Sequence, residues 1–240
     1  MGLSKHELRE RIWRLLEEKK VARFPGAHGR IPNFVGAEKA AHHLTTLRVW
    51  QQARAIKCNP DSPQRPVRYG ALKAGKIVYQ AVPRLLHKKP FVELNPHRLN
   101  EVSLWHASSI KGAFAKGRLV STEEMDQVDL VVAGCVAVSP DGSRLGKAGG
   151  YSDLEYALCR EGGITGEDTP IVTTVHFLQV VPDGEIEMKP HDISLNWFAT
   201  PDEIVETHGN YPRPSRILWE ELGEKLNEIP VLQDLARRRE

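Results

Sequence analysis

The residues best equipped for chemistry lie in the stretch 139–155, SPDGSRLGKAGGYSDLE, where Gly146, Gly149 and Gly150 stand among Arg144, Lys147 and Asp153. Glycines let a backbone approach a ligand closely and take positive φ, and the first amides of a following helix point outward without partners, so the combination offers an anion site. Arg144 and Lys147 add two cations, which makes a triphosphate the natural anion. Asp153 falls in the first turn of the expected helix, where the dipole favours a carboxylate by roughly 0.3–1 kcal/mol. Beside bound phosphates it would be repelled unless Mg²⁺ lay between them. The same residues also compose an ordinary turn: Asp141-Gly142 is a common turn pair, glycines often begin helices, and loop cations are usually solvated. Spacing alone leaves both readings open. The stretch is neither a G-x-x-x-x-G-K-[ST] loop nor a G-x-G-x-x-G fingerprint.

Elements on either side must position these residues. Upstream, residues 129–138 are nearly continuously apolar and rich in Val, as expected of a strand covered on both faces. Downstream, Leu154, Tyr156, Ala157 and Leu158 fit one face of a short helix, so the glycines are expected in a strand-to-helix turn. The chain opens with a helix: Ser4 and Glu7 form a capping box, and Leu8, Ile12, Leu15 and Leu16 form an apolar stripe bordered by Lys5 and Arg9. Residues 30–36 read as a loop, and a second helix is expected from Ala37. Its adjacent His42 and His43 point to different faces and make a poor metal pair. A strand over 53–58, a helix over 67–74 and a strand over 76–82 continue an alternation that predicts an α/β fold with a parallel sheet and helices on both faces. Residues 90–117 read as loops around one short element, with Lys111, Lys116 and Arg118 either solvated or on a pocket wall. Residues 171–181 predict a second buried strand with Gln179 near its end. Residues 195–199 predict another strand, and Thr200, Pro201 and Glu203 a helix start. In the tail, Leu218, Leu222, Leu226 and Ile229 predict a packing or dimer helix interrupted by Pro230.

Composition bounds the rest. A chain of 240 residues, 40% hydrophobic, can bury one large α/β core, so a single domain over 1–240 with a helical extension from about 210 is the default. A formal net charge of +2 with mixed signs lacks the basic footprint of a nucleic-acid binder. Cys58, Cys135 and Cys159 are too few and scattered for a disulfide framework or zinc site, which suggests a reducing, cytoplasmic setting. No apolar run approaches a membrane span.

The run 144–153, RLGKAGGYSD, resembles the R-L-G-x-G-x-G-Y-Y-D signature of the 5-formyltetrahydrofolate cyclo-ligases, also called methenyltetrahydrofolate synthetases. Lys5-His6-Glu7-Leu8-Arg9 is similar to the K-x-x-L-R of that family's first helix, which contacts nucleotide. Gln179, His191-Asp192 and Thr200 match the order of its later motifs. The resemblance implies a three-layer α/β/α fold with a mostly parallel sheet, related to the sugar-phosphate isomerases and CoA transferases. It further implies ATP and Mg²⁺ as cofactors. Nucleotide would be bound by Lys5, Arg9, Arg144, Leu145, Gly146, Lys147, Ala148, Gly149, Gly150, Tyr151 and Ser152. Arg144, Lys147 and Tyr151 would act in catalysis, and Asp153 with Asp192 would hold the metal.

Departures from the family pattern are specific. Ser152 replaces its second Tyr, Ala148 a motif Gly, Leu154 the Arg or small residue after its Asp, Val138-Ser139 its F-D pair and Gly134-Cys135 its P-G. After the first strand the family has a folate-holding Glu in an E-x-x-T context, whereas this chain reads Asn59-Pro60-Asp61-Ser62-Pro63. Residues 30–34, RIPNF, and the long tail resemble the divergent branch named for a methenyltetrahydrofolate synthase domain. Some members of that branch carry an RNA-recognition domain, whose aromatic RNP pattern these residues do not show. The expected function is ATP- and Mg²⁺-dependent conversion of 5-formyltetrahydrofolate to 5,10-methenyltetrahydrofolate. The alternatives are a paralogue acting on another heterocycle, such as a thiamine-related one, and a non-catalytic regulatory binder. The tail is the element through which a homodimer would form.

Overall fold

The computed structural model describes residues 2–99, 103–209 and 211–239. In chain order its elements are α1 (Lys5–Glu18), β1 (Ala22–Arg23), β2 (Asn33–Phe34), α2 (Ala37–Leu44), α3 (Arg48–Gln52), β3 (Ala55–Cys58), α4 (Arg65–Lys73), β4 (Ile77–Ala81), β5 (Phe91–Leu94), α5 (Leu104–Ala107) and α6 (Ile110–Lys116). There follow β6 (Arg118–Val120), β7 (Leu130–Val132), β8 (Ala137–Val138), β9 (Arg144–Leu145), α7 (Tyr151–Glu161), β10 (Ile171–Thr174), β11 (Trp197–Ala199), β12 (Ile204–Glu206), α8 (Lys225–Glu228) and α9 (Pro230–Arg237).

The main sheet has the order β12-β11-β10-β7-β3-β4-β5-β6, parallel from β11 through β4, with β5, β6 and β12 antiparallel at the edges. Its strands alternate side chains between two apolar layers, as the two-residue period of a strand demands. Ala55, Tyr79, Val131, Ile171 and Phe198 face α7 and the C-terminal segment, where Leu154, Leu158, Ile217, Leu222 and Leu232 are buried. Ile56, Val78, Leu130, Val132 and Val172 face the other side, against Leu44 of α2, Trp50 of α3 and Val67, Ala71 and Leu72 of α4. Helices on both faces of this sheet make a three-layer α/β/α fold, the architecture expected from the alternating elements. The α1 capping box is present, and Leu8, Ile12, Trp13 and Leu16 pack on the β8–β9 hairpin through Val136, Ala137 and Leu145. Burial of each large apolar side chain there contributes about 1.5–3 kcal/mol.

Several local expectations change. The apolar run 129–138 is two elements: β7 ends at Val132, and Ala137–Val138 leaves the sheet to form an antiparallel hairpin with Arg144–Leu145. Both segments are buried, so hydrophobicity alone could not divide them. The glycine stretch therefore joins a hairpin to a helix. The strand expected through 181 ends at Thr174, and Gln179 lies in a 3-10 turn, its amide donating to the carbonyls of Cys135 and Val136 at 3.2 and 3.1 Å. Thr200 starts no helix: its hydroxyl accepts from the amides of Asp202 and Glu203, a tight turn into β12. The tail is not one helix but a 3-10 turn at Trp219–Glu221 followed by α8 and α9. The span 90–117 contains β5, α5 and α6, while residues 100–102 lie outside those described. Residue 210, where the extension was placed, also lies outside them.

Candidate active site

Strand order reverses between β3 and β7: the chain runs from β3 to β4, then returns to lay β7 on the other side of β3 and β10 beyond it. The carboxyl ends of the strands at such a switch point leave a crevice. Here the two ends are tied together, because the Asn59 amide donates to the Val132 carbonyl at 3.0 Å and the Gly134 amide donates to Asn59 Oδ1 at 3.0 Å. A cavity of about 500 Å³ opens there, lined by Asn59, Asp61, Gly134, Arg144, Lys147, Gly149, Gly150, Tyr151, Ser152, Asp153 and Glu155, with Arg30 and Arg84 on other walls.

One wall of this cavity is the entry to α7. Gly150 caps the helix at φ +62°, and Ala148 also takes a positive φ of 80°. A Cβ on Gly149 would lie 2.7 Å from the Tyr151 ring, so this position has room only for glycine. The amides of Tyr151, Ser152 and Asp153 have no intrahelical partner, and none donates to a partner elsewhere among the described residues. Lys147 stands at this loop with its ammonium 2.7 Å from Asp61 Oδ1. Ser152 donates to Asn59 Oδ1 at 3.1 Å, which fixes the second residue of the helix to the end of β3.

Arg144 borders the cavity, but its guanidinium is almost wholly engaged by protein groups. Its side chain is 1% exposed; it pairs with Asp153 and donates to the carbonyls of Gly134 (3.2 Å) and Ile193 (3.4 Å). Burial alone would lower its pKa, but the Asp153 carboxylate outweighs that and raises it. Asp153 Oδ1 accepts both from Arg144 and from the Ile193 amide at 3.0 Å. That bond brings Asp153 beside the 191–193 turn and hence near Asp192. Asp192 Oδ2 accepts from Lys5 and from the Lys189 amide at 2.8 Å. Arg9 Nε donates to the Gly146 carbonyl at 2.6 Å, so α1 holds the glycine loop directly. Desolvation lowers the Arg9 pKa, against the attraction of Asp192.

Asp153 Oδ2 and Asp192 Oδ1 have no hydrogen-bond donor among the described residues, and no cluster of three or more His, Cys, Asp or Glu suited to a metal occurs among them. Two carboxylate oxygens left without donors suit Mg²⁺, which keeps waters and uses one or two carboxylates plus phosphates rather than an all-protein cage. The donor set thus fits the ion as a shared ligand, not as a free-standing protein site.

Several contributors were not found from sequence. Arg68 is buried and donates to the carbonyls of Asn59, Pro60 and Asp61, clamping the loop after β3. Lys57 and Glu155 form a buried ion pair at the cavity floor, where desolvation pushes the Glu155 carboxyl above its usual range and Lys57 pulls it back. Lys225, from the C-terminal segment, places its ammonium 5.7 Å from the Tyr151 ring centroid and 2.8 Å from where a Gly150 Cβ would stand. A strand that reads apolar but contains a Lys, and a helix whose apolar face contains a Glu, were the available signals for the Lys57–Glu155 pair. Nothing local marks Lys225.

A three-layer α/β fold with a cavity at the switch point of its parallel sheet places the chain in the α/β class. The sequence pattern of the 5-formyltetrahydrofolate cyclo-ligase family matches residues 2–201, and the chain belongs to that family. It is 39% identical over 239 residues to the methenyltetrahydrofolate synthase domain-containing protein of Mus musculus, covering 99% of this chain and 64% of that protein. It is 37% identical over 241 residues to the Bos taurus protein of the same name, covering 100% of this chain and 63% of that one. The chain thus spans less than two thirds of the length of these relatives. Among solved structures it resembles the NMR structure of Aquifex aeolicus 5,10-methenyltetrahydrofolate synthetase, with a TM-score of 0.55 and 17% identity over 87% of this chain and 95% of that one. That likeness bears on the fold. No helix among the described residues is long and apolar enough to cross a membrane.

Proposed function

We propose that this chain is an ATP- and Mg²⁺-dependent cyclo-ligase that converts 5-formyltetrahydrofolate to 5,10-methenyltetrahydrofolate. The observation that carries this reading is the row of unpartnered amides at Tyr151, Ser152 and Asp153, flanked by Lys147 and Lys225 and opening on the switch-point cavity. The oxygen of a formyl amide is a poor leaving group. Transfer of the γ-phosphoryl group to it gives a phosphorylated iminium, the neighbouring folate nitrogen attacks the formyl carbon, and phosphate departs with the former formyl oxygen. No protein nucleophile is required, so positioning and charge stabilisation supply the catalysis.

In this scheme Lys147 and Lys225 meet phosphate oxygens, together with the backbone from Leu145 through Ser152. Lys147 exchanges Asp61 for phosphate when nucleotide enters. Tyr151 orients the reacting groups, and Lys5 and Arg9 serve the nucleotide from α1. Arg144 positions: it holds Asp153 and the carbonyls of Gly134 and Ile193 and does not itself reach phosphate. Asp153 Oδ2 and Asp192 Oδ1 would hold Mg²⁺, which neutralises phosphate charge when bound. A second reading, the same chemistry on another nitrogen heterocycle, is favoured by one observation: Asn59-Pro60-Asp61-Ser62-Pro63 has no Glu where the family places its folate-holding one.

Incubation with 5-formyltetrahydrofolate, ATP and Mg²⁺, followed by the absorbance of the methenyl product, tests the reaction. ATP-dependent product formation is expected, and its absence at high protein concentration would overturn the folate assignment.

A further inference from the structure

The cavity floor holds an ion pair that phosphoryl transfer does not use. Lys57, on β3, is fully buried, and Glu155, on α7, is 5% exposed. Glu155 Oε2 accepts from Lys57 Nζ and, at 2.8 Å, from Asn59 Nδ2. Asn59 cannot turn away, because its Oδ1 already accepts from the Gly134 amide at 3.0 Å and from Ser152 at 3.1 Å. With Asn59 held by Gly134 and Ser152, Lys57 and Asn59, at the end of β3, therefore fix the carboxylate. Its other oxygen, Oε1, has no partner among the described residues and is not sealed in the core, while Glu155 lines the cavity.

Such a pair is poorly explained by stability. Desolvating two charges costs several kcal/mol, and apolar residues of similar volume often serve a core as well or better. An oriented carboxylate with one free oxygen, at the floor of a ligand-sized cavity, is instead what a site needs to read hydrogen-bond donors.

We infer that Glu155 Oε1 is the acceptor that recognises N–H and amino donors on the edge of the substrate's nitrogen heterocycle, with Lys57 and Asn59 holding it in place. The ligand class is a ring with an amidine-like donor edge, such as a 2-aminopyrimidine ring. This rests on the cavity being the ligase site proposed above. It also accounts for the departure after β3: the acceptor comes from α7 rather than from the loop, which carries no Glu.

The test uses 5-formyltetrahydrofolate and its 2-desamino analogue as probes, titrated against the full chain in the presence of ADP, with ADP affinity measured separately. Glu155→Gln alone leaves Lys57 buried without a counter-charge, so Lys57→Met/Glu155→Gln is made alongside it. The wild type is expected to prefer the amino-bearing probe by roughly 10- to 100-fold, the worth of one charge-assisted hydrogen bond. In the double variant the preference falls to near unity while ADP affinity stays within about twofold, an outcome that a purely structural pair would not give. A double variant that keeps the preference, or a wild type that shows none or binds neither probe while still binding ADP, overturns the Glu155 assignment and leaves the nucleotide cradle standing. A wild type that fails to bind ADP overturns the ligase reading itself, and this inference with it.

Discussion

Removing the guanidinium of Arg144 separates two roles for that residue. As a phosphate ligand, Arg144 would contribute to nucleotide affinity and little to folding. In the structure its side chain is 1% exposed and paired with Asp153, whose side chain is 10% exposed. Arg144→Met keeps most of the buried stem but strands the carboxylate. Breaking one side of a buried pair costs about 3–5 kcal/mol, and for a chain of this size each kcal/mol corresponds to roughly 2–4 °C in Tm. The expected fall is therefore roughly 6–20 °C, read by thermal unfolding and by the urea midpoint. Arg144→Met/Asp153→Asn, which removes both charges, should be less destabilised than the sum of the single variants. Such coupling is what a double-mutant cycle detects for contacting groups. The reasoning is refuted if Arg144→Met unfolds within about 2 °C of wild type yet binds ATP 100-fold more weakly.

Other outcomes follow from the same geometry. Asp192→Asn should reduce the Mg²⁺-dependent gain in ATP affinity by about tenfold while leaving metal-free binding equal or tighter, because the lost charge attracts the ion and repels phosphate; an unchanged Mg²⁺ effect in a calorimetric titration would count against the metal assignment. Lys225→Ala should weaken ADP and ATP binding roughly 3- to 30-fold with little change in Tm, since the ammonium has no carboxylate partner among the described residues; equal affinity would remove the tail from the site. Cys58, Cys135 and Cys159 are buried, and desolvation pushes their thiols up to about 11, 11 and 12. All three should resist a thiol reagent at pH 8 and react on unfolding in urea, whereas rapid native labelling would contradict their placement.

How much of this was legible depends on the distance over which each signal acts. The capping box of Ser4 and Glu7 and the α1 stripe are local, and both appear, although Trp13 rather than Leu15 completes the buried face. The alternation of elements around β3, α4 and β4 likewise predicts the parallel core. Run 129–138 fails because a sheet strand and a hairpin strand can be equally apolar once both are covered, and what separates them is the partner strand. Thr200-Pro201 has the residue types of a helix start, but antiparallel pairing of β12 with β11 overrides that preference. At the site, residue types gave the loop but not the direction of its side chains. Arg144 and Asp153 are close in sequence, yet their pairing depends on the hairpin turning Arg144 inward. Lys57 meets Glu155 only because β3 lies beneath α7, and Lys225 reaches Gly150 only because the tail folds back over the same helix. Asn59 and Arg68, which brace the cavity, act through backbone carbonyls and a carboxylate that no local pattern announces.

The central claim is that ATP activates a formyl oxygen at the α7 entry, and oxygen tracing tests it most directly. With 5-formyltetrahydrofolate labelled by ¹⁸O in the formyl group, the full chain, ATP and Mg²⁺ should yield methenyl product and ADP in equal amounts, with the label in inorganic phosphate. Methenyl product formed without ADP, or with the label released to water and none in phosphate, would contradict the account.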